Sequence, residues 1–273
     1  MDTTRSPILR DLLGRHEFRF NKALGQNFLI SPQVADDIVG ALRVDNETGV
    51  LEIGPGAGAL TARLAAKAGR VTAVELDERL IPVLREALSG AENTAVIQGD
   101  ALKVDLPRLC VETLPYNRRV AAANLPYYIT VPAISALLAA GCFDEICVMV
   151  QKEVVARLTA SPGDAALTAF SVEVQLRADV KPLFGVGRHC FLPQPHIDSA
   201  VVLLTPRAEQ PPAHCFALVK AGYASRRKTL LNNLLPVTGR DKALAALERA
   251  GIDPSARAET LDCGAWRRLA GNM

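Results

Sequence analysis

The stretch Val50-Leu51-Glu52-Ile53-Gly54-Pro55-Gly56-Ala57-Gly58 constrains this chain more than any other. An apolar run ends in an acid and then in three glycines at alternate positions, with Leu60, Leu64 and Ala68 following at helical spacing. That pattern predicts strand, tight turn, helix. Lacking Cβ atoms, the glycines let the backbone turn sharply and let a flat ligand lie close. The helix directs unpaired N–H groups back toward that ligand. A second apolar run, Val71 to Val74, ends in Glu75-Leu76-Asp77, where an acid is placed to take the two hydroxyls of a ribose. Together they read as a nucleoside site.

The loop alone does not name the nucleoside. Gly54, Gly56 and Ala59 also satisfy the loose dinucleotide fingerprint, so NAD stays open at this point. Glu52 before the first glycine, and the lack of a further dinucleotide half, lean toward the loop of S-adenosylmethionine enzymes. A length of 273 residues suits one large domain and a smaller one. No run approaches the ~20 apolar residues that cross a bilayer, and Met1 to Arg5 lacks the apolar stretch of a signal peptide. A cytoplasmic protein without a membrane partner is expected. Six cysteines without a C-x-x-C pair suggest reduced thiols and no metal. From Arg207 onward eleven Lys and Arg face six Asp and Glu, a surplus of five, so the rest of the chain sums to −3. A basic tail domain beside a mildly acidic one suggests a polyanion partner.

Ser6-Pro7 is read as the N-cap and first turn of a helix through Leu13, and Ser31-Pro32 as the cap of a helix carrying Val34, Ile38 and Leu42. Between them, Phe18 to Leu29 mixes aromatics, cations and amides as an arm over a site or a lead-in loop. A helix from about Glu78 to Leu88 tolerates Pro82 near its start. Thr94 to Gln98, Arg119 to Ala123 and Glu145 to Val150 are further strands, with a helix over Val131 to Ala140. Helices alternate with strands apolar on both faces, which predicts a parallel sheet covered on both sides. Gly54, Glu75, Asp100 and Asn124 each fall just after a strand's C-terminal end, where open α/β sheets bind ligands. Val180 to Val186 and Ala200 to Thr205 are read as an antiparallel last pair. Beyond a linker, His214 to Tyr223, Ser225 to Leu235 and Arg240 to Ala250 read as helices. The expected domains are 1–206 and a basic helical 207–273.

Asn124-Leu125-Pro126-Tyr127 carries the chemistry. An adenine N6 amine is a poor nucleophile because its lone pair is spread into the ring. Two acceptors aimed at its N–H bonds, the Asn124 side-chain oxygen and a carbonyl at Leu125 or Pro126, would hold it pyramidal and push the lone pair toward an electrophile. Pro126 fixes the turn, and Tyr127 can stack on the base, a contact worth ~1–3 kcal/mol. No acid or base is required; in-line positioning and exclusion of water suffice.

With these residues the chain resembles the KsgA family, the adenine N6-dimethyltransferases of small-subunit ribosomal RNA, from about Phe18 to the C-terminus. The matching segments are Leu24-Gly25-Gln26-Asn27-Phe28-Leu29, Glu52 to Gly58, Glu75-Leu76-Asp77, Gly99-Asp100-Ala101 and Asn124 to Ile129. Phe191 to Val201 and Arg226-Arg227-Lys228-Thr229-Leu230 continue the match. The resemblance implies a Rossmann-like S-adenosylmethionine methyltransferase sheet, mostly parallel, of seven strands with the last antiparallel, followed by a small helical domain. It implies that Asn27, Leu29, Gly54, Glu75, Asp100 and Asn124 line the S-adenosylmethionine site, with Asp100 on the cofactor's adenine amine and Glu75 on its ribose. Phe191 would be a second stacking face opposite Tyr127, and Arg226, Arg227 and Lys228, at the start of a helix, would meet RNA. The implied partner is small-subunit RNA in a pre-ribosomal particle, met by a monomer.

One departure stands out. Where the family has a Tyr-Gly pair before a Leu-Ser-Val strand, this chain has Leu167-Thr168 ahead of Phe170-Ser171-Val172. His189 and His196 receive no role. Rival readings are a macrolide-resistance methylase of large-subunit RNA, which Tyr128 and the complete basic C-terminal segment disfavour, and a non-catalytic RNA-binding assembly factor, which need not keep the Asn124–Tyr127 motif. An NAD oxidoreductase lacks a hydride partner at a strand end.

Overall fold

A computed structural model describes residues 1–21 and 24–273; Lys22 and Ala23 of the N-terminal segment lie outside the described residues. The strands are β1 (Phe28–Leu29), β2 (Thr48–Ile53), β3 (Arg70–Glu75), β4 (Thr94–Gln98), β5 (Arg118–Asn124), β6 (Glu145–Gln151), β7 (Ala178–Val186), β8 (Phe191–Leu192) and β9 (Ser199–Pro206). Seven form one sheet in the order β4-β3-β2-β5-β6-β9-β7. β2 to β6 pair in parallel, and β9 runs antiparallel to β6. Every residue of β2 is buried, as expected of a strand covered on both faces. The chain lays β3 and β4 on one side of β2 and then returns to place β5 and β6 on the other. The crevice between the C-terminal ends of β2 and β5 is therefore the topological switch point.

Helices α1 (Ser6–Arg15), α2 (Pro32–Ala41), α3 (Ala59–Ala65), α4 (Leu80–Ala87), α5 (Leu106–Thr113) and α6 (Thr130–Ala140) flank this sheet. Leu9, Leu12, Val83 and Leu84 of α1 and α4 form one apolar cluster, and Ile38, Leu60, Leu64 and Val71 another. Ser31 caps α2 by accepting from the Val34 N–H at 3.4 Å. Ser6 does not cap α1: it is already the first helical residue, Arg5 precedes it without a side-chain cap, and its hydroxyl accepts from Arg10. β1 and β8 pair antiparallel, a short ribbon inside stretches read as an arm and a hairpin loop.

Two compact units partition the chain, Met1–Val155 with Lys181–Pro206, and Ala156–Val180 with Arg207–Met273. The single expected boundary at 206 thus becomes three crossings, after Val155, Val180 and Pro206, because 156–180 packs with the C-terminal helices. After α7 (Lys152–Leu158), the second unit contains α8 (Ala169–Arg177), α9 (Ala213–Gly222), α10 (Leu230–Thr238), α11 (Arg240–Arg249) and α12 (Cys263–Gly271). Its core gathers Leu167, Val172 and Leu176 with Leu218, Leu230, Leu247 and the fully buried Trp266. The Leu167-Thr168 departure precedes a helix, not a strand. Leu167 enters that core, and Thr168 forms a capping box with Ser171, satisfying orphan N–H groups of α8. α10 begins at Leu230 with Thr229 as its cap, so Arg226, Arg227 and Lys228 occupy the exposed turn before the helix and not its first turn. The buried Asn233 closes that turn by donating to the carbonyls of Gly222 and Ser225 at 2.5 and 3.0 Å.

Candidate active site

Register decides what meets at the switch point. Ile53 pairs with Val74 on one side and Ala123 on the other, so Gly54, Glu75 and Asn124 come next on adjacent strands. Backbone bonds extend the alignment past the strand ends. Gly54 N–H donates to the Val74 carbonyl at 3.0 Å, Gly99 N–H to Glu75 at 2.8 Å, and Leu125 N–H to Met149 at 3.1 Å. The β1–β8 ribbon adds a second wall, since Leu29 pairs with Phe191. Asn27, Leu29, Gly54, Glu75 and Asp100 consequently share one cavity of about 210 Å³ with Asn124, Leu125, Pro126, Tyr127 and Phe191. Arg226, Arg227 and Lys228 stand in the second unit.

The glycine loop is shaped by what lies under it. Gly56 has φ +59°, and a Cβ there would meet the Phe28 ring at 3.0 Å. At Gly54, φ +68°, nothing lies within 4 Å of such a Cβ, so this glycine keeps cavity space open. The Gly56 N–H donates to Glu75 Oε2 at 3.2 Å, and the Asp77 N–H donates to Glu75 Oε1 at 2.8 Å. Burial raises the Glu75 carboxyl, and these amides pull it back. Each Glu75 oxygen keeps a second lone pair for a ligand hydroxyl. Glu52 lies deeper, 2% exposed; burial pushes its carboxyl up to about 8, with the charge of Glu75 adding.

The sequence reading gave no role to Gln26 or Asp77, yet they pin the N-terminal segment over the loop. Gln26 accepts from the Asn21 N–H at 2.8 Å and donates to Asp77 Oδ2 at 2.7 Å. Arg79 pairs with the same carboxylate at 2.5 Å, holding Asp77 below the usual carboxylate range, and lies 5.3 Å from the Phe18 ring centre. Phe18, Phe20 and Phe28 pack with centroids 5.4–5.9 Å apart. The second acid in Glu75-Leu76-Asp77 and the amide in Leu24 to Leu29 were the visible signals.

Asn124 donates its side-chain N–H to the Asn27 carbonyl at 3.1 Å. That bond fixes the amide's orientation, so Oδ1 is left as an acceptor. The Pro126 carbonyl already accepts from the Ile129 N–H at 3.1 Å and the Thr130 hydroxyl at 3.2 Å. Of the two candidate carbonyls, Leu125's is thereby favoured. Burial raises the Tyr127 hydroxyl, with Asp198 adding and Ser199 opposing, so the ring is a neutral face and not a base. Phe191 is 4% exposed, packed in the core while lining the cavity. Asp100 accepts from the Leu102 N–H at 3.0 Å and lies 3.5 Å from Lys103 Nζ.

Comparison with solved structures gives the class. A dimethyladenosine transferase from Plasmodium falciparum matches 89% of this chain and 95% of its own at TM-score 0.77 and 26% identity. The 23S rRNA methyltransferase ErmE matches 90% and 99% at TM-score 0.67 and 27% identity. The sheet and its strand-end site are those of a Rossmann-like RNA methyltransferase. More narrowly, the ribosomal RNA adenine dimethylase profile matches residues 17–272, and the chain belongs to that family of enzymes. Among its relatives, the ribosomal RNA small subunit methyltransferase A of Geobacillus thermodenitrificans is 42% identical, over 96% of this chain and 93% of the relative. Its namesake from Pelotomaculum thermopropionicum is 45% identical, over 96% and 94%. Among the described residues no helix is long and apolar enough to cross a membrane.

Proposed function

We propose that this chain transfers methyl groups from S-adenosylmethionine to N6 of two adjacent adenines in small-subunit ribosomal RNA, during subunit assembly in the cytoplasm. The observation that carries the reading is Asn124, which lines the cavity at the switch point with its amide N–H engaged by the Asn27 carbonyl, leaving Oδ1 as the acceptor. Family membership and the relatives' small-subunit name support the substrate.

The cavity's chemistry fits S-adenosylmethionine. Gly54 leaves room beside the loop, Glu75 offers acceptors for ribose hydroxyls, and Asp100, 31% exposed, offers one for an adenine amine. Asn27 and Leu29 add to the lining of the cavity. When bound, this cofactor supplies an electrophilic methyl group on a positively charged sulfur. The chain's own residues handle the acceptor. Asn124 Oδ1 and the Leu125 carbonyl accept from the two N–H bonds of the target amine, keeping its lone pair out of the ring. Tyr127 stacks on the base, with Phe191 as the second face. Arg226, Arg227 and Lys228 take backbone phosphates from the exposed turn of the second unit.

The test is labelled methyl transfer to under-methylated small subunits, set against large subunits and naked RNA. Small subunits alone should be modified, at two methyl groups per adenine. Asn124→Ala should lose on the order of a hundredfold in rate while retaining RNA. Tyr127→Phe should keep most activity and Tyr127→Ala a weak remainder. A folded Asn124→Ala protein, holding cofactor and RNA, that methylates at the normal rate would remove the acceptor mechanism. Preferential labelling of large subunits would transfer the assignment to the macrolide-resistance type.

A further inference from the structure

The six cysteines are all free thiols, and none lines the cavity or has a task in the proposed reaction. Two of them nevertheless meet: Cys142 Sγ lies 3.4 Å from Cys110 Sγ, across 32 positions of sequence. Cys110 sits on α5 and is fully buried. Cys142 follows Gly141, the left-handed residue that ends α6 at φ +62°, and stands partly exposed in the short connection to β6. A buried cysteine by itself is an apolar filler. Cys147 and Cys215 fit that description, since burial raises both thiols, Cys147 to about 12. The pair on α5 and after α6 is built differently. One thiol is accessible, the other stands directly against it, and the positive charge of Arg119 on β5 acts on both. The S–H of Cys110 lowers the Cys142 thiol, with Arg119 adding and burial opposing; the same hydrogen bond, together with burial, raises Cys110.

We propose that Cys142 and Cys110 form a peroxide-reactive dithiol site, Cys142 attacking and Cys110 resolving, which clamps α5 to the end of α6 through a reversible disulfide. Redox-responsive cysteines share this arrangement: an accessible sulfur poised beside a second thiol. The co-reactant is hydrogen peroxide. The Cys142 thiolate attacks one peroxide oxygen; an S–O bond forms, the O–O bond breaks, and the departing hydroxide takes a proton to become water. The Cys110 sulfur then attacks the sulfenic sulfur of Cys142. An S–S bond forms, the S–O bond breaks, and hydroxide leaves as water with the Cys110 proton. Together the two sulfurs give two electrons to the peroxide. Their atoms close from 3.4 Å to about 2 Å, a movement that falls to the 141–144 connection because Cys110 is held inside a helix. Transient disulfides of this kind are compatible with a reducing compartment. Neither cysteine lines the cavity, so the site stands apart from the methyl-transfer reading.

Thiol mapping decides it. The full chain, reduced and then freed of reductant, would be exposed to a small excess of hydrogen peroxide, alkylated, digested with trypsin and fragmented in a mass spectrometer. Peptide 109–118, which holds Cys110, should be joined through Cys142 to peptide 120–152, which also holds Cys147. Cys147→Ala should keep the link. Cys142→Ser should abolish it and leave Cys110 open to alkylation. Cys110→Ser should stop at the sulfenic acid of Cys142, captured by dimedone. Dithiothreitol should restore both thiols of the wild type. Closing the loop should raise the thermal midpoint by at least about 4 °C over the reduced chain. The proposal is overturned if Cys142 passes to sulfinic acid without a link, if either thiol links to another cysteine, or if both stay reduced. A midpoint not raised by the link overturns it too, since the fold would then have to distort to make the bond. The wild-type chain alone delivers each of these results, so none depends on a variant that folds.

Discussion

Two alanine substitutions in the glycine loop should have opposite signatures. Gly54 and Gly56 share a left-handed backbone, φ +68° and +59°, so either change costs about 1–2 kcal/mol in backbone strain. Only Gly56 adds a steric term. Its new Cβ would stand 3.0 and 3.2 Å from two atoms of the Phe28 ring. That ring cannot retreat easily, being 6% exposed, packed against Phe18 and Phe20, and held by the pairing of Phe28 with Leu192. Overpacking of this kind costs about 1–3 kcal/mol. Gly56→Ala should therefore lose about 2–5 kcal/mol and Gly54→Ala about 1–2. Ligand binding should rank the other way relative to stability, because a methyl at Gly54 projects into open cavity space. Urea unfolding with hydrogen exchange across residues 48–65 measures the first effect, and S-adenosylhomocysteine titration measures the second. Gly54→Ala should bind at least about tenfold more weakly while remaining the more stable variant, since a lost near-contact of ~1.4 kcal/mol is already tenfold. Equal stabilities for the two, or unimpaired binding by Gly54→Ala, would refute this account of the loop.

Further outcomes follow from other parts of the molecule. Glu52's folded-state value lies above its unfolded one, so its contribution to stability is present below about pH 4.5 and lost as pH rises through about 8. At 1.36 kcal/mol per pKa unit this is about 5 kcal/mol; the stability of wild type relative to Glu52→Gln should drop by that order between pH 4.5 and 8.5, and parallel curves would contradict it. In the second unit, Gly222→Ala should destabilise although alanine is the better helix former by about 1 kcal/mol. Its Cβ would fall 2.5 Å from the Trp266 ring and 3.0 Å from Leu230, and the Trp266 fluorescence transition should report a net loss of about 1–3 kcal/mol. Replacing Arg226, Arg227 and Lys228 together by alanine should weaken RNA binding and flatten its salt dependence, by a slope of up to about two or three, with cofactor affinity unchanged. An unaltered slope would leave these residues an ordinary solvated turn.

Local chemistry determined much of this protein. Apolar runs marked the strands of the large sheet because a strand covered on both faces must be apolar throughout. Gly54, Glu75, Asp100 and Asn124 were visible as site residues because each punctuates a strand end, and parallel topology carries those ends to one edge. What the chain order could not express was pairing across distance. Phe28–Leu29 meets Phe191–Leu192 through two residues apiece, too short to show any period. Gln26 reaches Asp77 across 51 positions, and 156–180 joins helices that begin at Ala213. Trp266 and its helix α12 fill the second core without having been anticipated. Glu52 shows the division most sharply: its letter belongs to the loop's pattern, but its neutrality comes from enclosure by Ala73, Ala122 and Glu75. Ionisation depends on the dielectric and charges around a group, and only the tertiary fold assembles those surroundings.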